Sequence, residues 1–166
     1  MHEFLQLGFG TVQEARGLLA GMRARCDRPV GVYGFSMGGH LALLTAALQR
    51  LDGPMVAVAP SCTPASVFLD GMLAAGSSLQ ALGEDAETRL RELLDRFRVT
   101  SLPPPPAASR AAIIAGRRDG IVPPSEPAAI ARHWGAPLTW LETGHVGAVT
   151  LHRARVRRTL AEAFRL

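Results

Sequence analysis

The stretch Val30-Gly31-Val32-Tyr33-Gly34-Phe35-Ser36-Met37-Gly38-Gly39-His40 decides the fold class of this 166-residue chain. Its first half, Val30–Phe35, is a short apolar run suited to a strand buried on both faces. From Met37 to about Leu51 the spacing turns helical, with Leu41, Leu44, Thr45 and Leu48 on one stripe. Between the two lies a Gly-x-Ser-x-Gly pattern centred on Ser36. A serine on so sharp a strand-to-helix turn takes strained dihedrals, so the flanking positions must be small, and Gly34 and Gly38 meet that need. Ser36 Oγ then stands clear of the sheet. The amide of Met37, first in the next helix, is aimed at a developing oxyanion.

The same alternation extends in both directions. Residues 3–25 read as an amphipathic helix, with Leu5, Val12, Ala15, Leu18, Leu19 and Met22 at three-to-four spacing. A second buried strand is expected at Met55–Ala59, stopped by Pro60. Residues 61–83 are Ser-, Gly- and Ala-rich and irregular, and Glu84–Val99 is expected to be a helix, acidic at its start and Arg-rich toward its end. Pro103–Pro106 forms a stiff link. Then come a strand at Ala111–Ala115, a helix at Glu126–Trp134, a strand at Leu138–Leu141 and a last helix from about Ala148 to Phe164. Apolar strands alternating with helices mean an α/β fold with a mostly parallel sheet and flanking helices. In such sheets the chemistry gathers at the carboxyl ends of the strands.

A serine at its ordinary pKa is a poor nucleophile, so a base and an orienting acid are needed. Where a Ser stands on such a turn the chain order is Ser, then Asp or Glu, then His. Asp119 falls in the loop just past the third strand, and His145 falls just past the fourth, with room between them for one helix and one strand. Ser36, Asp119 and His145 therefore lie on one edge of one sheet. Rivals are placed less well. Asp70 sits in the irregular segment, Glu142 is too near His145 in sequence to orient it, and Asp52, Asp85 and Asp95 read as helix-end or surface charges. His40, one helical turn beyond Ser36, is expected to pack beneath the turn, and His2, His133 and His152 are expected at the surface. No His, Cys or carboxylate grouping has metal-ligand spacing, and no metal or cofactor is expected. The one Gly-rich turn lacks a phosphate-binding Lys.

Composition narrows the class further. With 48% hydrophobic and 19% charged residues the chain is a single globular domain, not a disordered one. The net charge of +4 comes from Arg alone, since the chain has no Lys and no Asn, a codon bias that points to a GC-rich, bacterial genome. Its arginines follow helix faces without interleaved aromatics, so no nucleic-acid partner is expected. No apolar stretch approaches the length of a membrane span, so no stable membrane insertion is expected. With no leader pattern at the N-terminus, the expected location is cytoplasmic. Cys26 and Cys62 are too few for a disulfide scaffold.

The segments GFSMGGH (34–40), PSCTPASVFLDGML (60–73) and AGRRDGIVPP (115–124) with TGHVGA (143–148) resemble the α/β-hydrolase superfamily, and within it the family of α/β-hydrolase domain-containing protein 18. The resemblance implies Ser36 as nucleophile, Asp119 as acid and His145 as base. It also implies one α/β-hydrolase domain over residues 1–166, with a core of 1–60 and 107–166 and a small cap-like helical insertion at 61–106. Members carry further strands before the nucleophile strand, and a loop there usually gives the second oxyanion amide; losing one such donor costs about 10²–10³ in rate. The domain is thus expected to be shortened at its N-terminus, leaving Val30–Tyr33 at an open edge that invites pairing with another chain. A late start, strands on a separate chain, and a shortened fold that forms a homo-oligomer through this edge all remain open. The expected activity is a serine hydrolase acting on a small-molecule carboxylic ester, of a lipid or other apolar acyl group, with Met37 in the oxyanion hole. Val67, Phe68, Leu69, Met72 and Leu73 are candidates to line the acyl pocket. The alternative is an inactive fragment of the fold serving as a binding or assembly module.

Overall fold

Four short apolar runs, β1 (Val32–Phe35), β2 (Met55–Val58), β3 (Ala112–Gly116) and β4 (Leu138–Leu141), form one sheet in the order β1-β2-β3-β4 with every neighbour parallel. The computed structural model describes residues 2–72, 83 and 85–165. Glu84 and Leu73, and the side chains of His2 and Leu5, lie outside what is described. Phe35 pairs with Val58, Val58 with Ile114, and Ile114 with Thr139, so the carboxyl ends of the strands lie side by side. That common end receives Ser36, Asp119 and His145.

Each strand is added on the same side of the one before it. Right-handed crossovers then carry the connecting helices to one face. On that face Met55, Ala57 and Ile113 pack with Leu43 and Leu44 of α2 (Met37–Leu48), with Ile130 and Trp134 of α4 (Ser125–Trp134), and with Val12 and Leu19 of α1 (His2–Arg23). The opposite face carries Val58 and Ile114 against Ala148 of α5 (Gly147–Thr150) and Val156 of α6 (Arg153–Phe164). Ile113 and Ile114 are neighbours in sequence yet belong to different layers, which is why the strands read as continuous apolar runs. β1 pairs with β2 alone among the described residues, and Tyr33 on that edge strand is exposed. No helix among the described residues is long and apolar enough to cross a membrane.

Two helices differ from expectation. The helix expected to reach Val99 is α3 (Ala86–Asp95) and stops four residues short. There the chain turns so that Val99 is buried and its amide donates to the Cys62 carbonyl at 2.8 Å, a tertiary bond that outweighs helix propensity. The last helix is broken at Leu151–His152 into α5 and α6, and both Ala148 and Val156 reach the second layer. Within the irregular segment, Ser66–Asp70 form a wide, π-type turn.

Candidate active site

The serine turn is strained as its sequence demands. Ser36 has φ 56° and ψ −123°, outside the regions an ordinary side chain prefers. Its amide donates to the Val58 carbonyl at 2.8 Å and its carbonyl accepts from the His40 amide at 3.0 Å, which hold it there. A Cβ at Gly34 would run into the Gly38 carbonyl oxygen and come within 2.6 Å of the Gly39 nitrogen. The expectation for Gly38 is not met: a Cβ there would find no atom within 4 Å, because Gly38 lines a cavity. The close approach is made by Gly39 instead, where a Cβ would lie 3.2 Å from the Gly34 carbonyl oxygen and 3.3 Å from that of Val58.

Ser36, Asp119 and His145 come together although 109 residues separate the serine from the histidine. His145 Nδ1 lies 2.7 Å from Asp119 Oδ2, and His145 Nε2 lies 2.8 Å from Ser36 Oγ. An ionised carboxylate only accepts, so the Nδ1 proton donates to Asp119 and the Nε2 lone pair faces the serine hydroxyl. The other oxygen, Asp119 Oδ1, accepts the amides of Ile121 and Val122, both at 2.9 Å. Asp119 and His145 are both buried, and the Phe35 ring lies 5.0 Å from the imidazole, centre to centre. Met37 is the first residue of α2, where a helix leaves amides without an internal acceptor.

The rival acids are engaged elsewhere: Asp70 with Arg91 at 2.8 Å, Glu142 with Arg117 at 2.9 Å, and Asp52 with Arg23 at 2.8 Å. Asp95 is more than a surface charge. Burial pushes its carboxyl up, but hydrogen bonds from the Thr63 hydroxyl (2.7 Å) and Arg98 (2.7 Å) outweigh that and hold it below the usual carboxylate range. His133 is exposed against the Leu102 carbonyl, while His152 is half-buried rather than at the surface. Among the described residues no group of three His, Cys, Asp or Glu side chains could hold a metal ion.

A cavity of about 470 Å³ opens beside Ser36 and Met37, within the usual span of small-molecule sites. Val67 and Phe68 line it; Leu69 and Met72 do not, and Met72 lies against Gly120 instead. Leu7 and Thr11 of α1 and Phe97 after α3 also border the cavity, and sequence reasoning missed all three. For Leu7 and Thr11, helical periodicity marks a face of α1 but does not say what that face borders. The wall after β2 is tied down by Glu126, whose Oε2 accepts the amides of Cys62 at 2.8 Å and Thr63 at 3.1 Å.

His40 packs beneath the turn, 2% exposed, with Nδ1 2.9 Å from the Ser61 carbonyl oxygen. Burial pushes its pKa from 6.5 down to about 4, with the bond to Ser61 opposing in part. Between those values the unfolded chain takes up a proton that the folded one refuses, so stability falls as pH falls and is flat above about 6.5. The loss through this window is about 3 kcal/mol. Urea unfolding of wild type and His40→Gln at pH 7.5 and 4.5 checks it: the wild-type advantage should shrink at the lower pH, and an unchanged difference would refute the assignment.

A parallel sheet with helices on both faces, a strained serine after β1, an acid after β3 and a histidine after β4 define the α/β-hydrolase fold. Residues 1–99 match the family model described as alpha/beta hydrolase domain containing 18, and the chain belongs to that family. No curated protein is significantly similar to it in sequence. Among solved structures, the Pyrococcus furiosus esterase Pf2001 matches with TM-score 0.59 and 18% identity over 92% of this chain and 61% of that one. A structure titled for the metagenome-derived lipolytic enzymes LipS and LipT matches with TM-score 0.61 and 21% identity, over 93% and 72% of the two chains. Est1E from Butyrivibrio proteoclasticus matches with TM-score 0.60 and 17% identity, over 89% and 67%. The chain thus spans about three fifths of the length of the first of these.

Proposed function

We propose that this chain is a serine hydrolase that cleaves carboxylic esters of apolar acyl groups through an acyl-enzyme. The observation that carries this is the continuous relay from Asp119 through His145 to Ser36, at 2.7 and 2.8 Å. Ser36 Oγ attacks the ester carbonyl as its proton passes to His145 Nε2, and Asp119 holds the tautomer and stabilises the imidazolium that forms. The Met37 amide donates to the tetrahedral oxyanion. His145 then protonates the departing alkoxide, and a water molecule, deprotonated by the same imidazole, attacks the acyl-enzyme and releases the acid. Residues 61–106 act as a cap on the core formed by 1–60 and 107–166, with Val67 and Phe68 holding the acyl chain. The structural likeness to the esterase Pf2001 and to the lipolytic enzymes LipS and LipT supports an ester substrate.

Labelling with a fluorophosphonate tests this directly. The expected result is stoichiometric modification of the wild type, abolished in Ser36→Ala and at least a hundredfold slower in His145→Ala. A folded sample that takes no label would favour the binding or assembly module over the enzyme.

A further inference from the structure

Two carboxylates stand on the stretch that leads from β3 into α4, and the ester chemistry uses only the first. Asp119 Oδ1 holds the amides of Ile121 and Val122, which form part of the cavity wall. Glu126, in the first turn of α4, holds another part of that wall, the segment after β2. Its Oε2 accepts the amides of Cys62 at 2.8 Å and Thr63 at 3.1 Å, and the residues on either side of this pair, Ser61 and Pro64, line the cavity. Cys62 and Thr63 are buried, so without Glu126 their N–H groups have no water to turn to. From Thr63 the bonds continue. Its hydroxyl oxygen accepts the Ala65 amide at 3.2 Å, and its carbonyl accepts from the Ser66 hydroxyl at 2.9 Å. Ser66 opens the turn that carries Val67 and Phe68, both on the cavity wall. A series of hydrogen bonds thus runs from α4 through Thr63 to the turn that holds the acyl chain.

We infer, on the basis of the acyl-ester reading above, that Glu126 is a positioning residue that fixes where the wall bearing Val67 and Phe68 stands relative to Ser36. Glu126 does not itself line the cavity. Without it, the segment is still held at the Ser61 carbonyl by His40, at the Cys62 carbonyl by the Val99 amide and at the Thr63 hydroxyl by Asp95. The wall therefore shifts rather than unfolds, because none of those bonds replaces the acceptor that the two amides lose. The effect falls on acyl groups long enough to reach Val67 and Phe68. An acetyl group stays at the serine, whereas a hexanoyl chain lies along the wall. What the wall supplies is binding, and its loss is felt in KM more than in kcat.

The test compares p-nitrophenyl acetate and hexanoate as substrates of the wild type and of Glu126 variants. Glu126→Ala should raise KM for hexanoate about tenfold or more, with kcat, and kcat/KM for acetate, within about threefold of wild type. Glu126→Asp keeps the charge at the helix start but is one methylene shorter, so it should show the same split more weakly, and it decides the matter if the alanine variant does not fold. Glu126→Gln should restore most of the hexanoate KM, since its oxygen can still accept both amides. Val156→Ala, cut from the opposite layer, controls for lost stability: it should lower the melting temperature without altering the ratio of hexanoate to acetate rates. Equal losses on both esters, or none on either, would overturn the inference and leave the hydrolase intact. Absence of turnover of every ester together with absence of fluorophosphonate labelling would instead remove the hydrolase, and calorimetric binding of hexanoate would then decide the positioning role. Affinity about tenfold weaker in Glu126→Ala and recovered in Glu126→Gln supports that role, whereas equal affinity, or no binding to the wild type, overturns it.

Discussion

Asp119→Asn is expected to lower turnover about 10⁴-fold while leaving the fold intact. The reason lies in the bonds of the two carboxylate oxygens. Oδ1 accepts two backbone amides, from Ile121 and Val122, and Oδ2 faces His145 Nδ1. In the asparagine variant the amide oxygen must stay with the two backbone donors, because an NH₂ there would face N–H groups. The NH₂ therefore turns toward His145, and Nδ1 becomes an acceptor. The ring proton moves to Nε2, which then points a hydrogen at Ser36 Oγ and cannot receive one. Steady-state kinetics on a p-nitrophenyl ester, beside a thermal melt, measures both halves of this result. Activity within tenfold of wild type would mean that Asp119 does not set the tautomer.

The second large effect concerns the backbone. Gly34→Ala should destabilise the protein by about 3 kcal/mol or more and abolish labelling of Ser36. Its Cβ would be driven into the Gly38 carbonyl oxygen and toward the Gly39 nitrogen. Those atoms are backbone at the start of α2, so no side chain can swing aside, and either β1 or the serine turn must shift. Gly38→Ala is the matched control, since no atom lies within 4 Å of its Cβ position. Alanine there should alter stability by less than about 1 kcal/mol, helped by its better helix propensity. Chemical denaturation of the two variants reads the contrast, and equal midpoints would show that the turn is not packed as described.

Much of this protein is legible in its sequence because the governing rules are local. Strands buried on both faces must be apolar throughout, and helices between them must carry a stripe, so the alternation could be read without coordinates. The serine turn announces itself because its dihedrals exclude bulky neighbours. Asp119 and His145 could be placed because each stands just beyond a strand, and parallel pairing brings the carboxyl ends of the strands to one line. None of this needs knowledge of which side chains finally touch.

What the tertiary structure alone decided is of another kind. That Gly39 rather than Gly38 makes the close approach depends on how α2 lies over β1 and β2. That α3 stops at Asp95 depends on Thr63 and the Cys62 carbonyl, both distant in sequence. The cavity is bounded by α1, α2 and the segment after β2, and no single element reveals that Leu7 or Thr11 will border it. That Nε2 of His40 is left without a hydrogen-bond partner among the described residues likewise follows from what its neighbours withhold. Periodicity fixes which face of an element is apolar, because that follows from its own backbone geometry. Which partner meets that face, and which polar atoms are left over, is set only when all the elements pack at once.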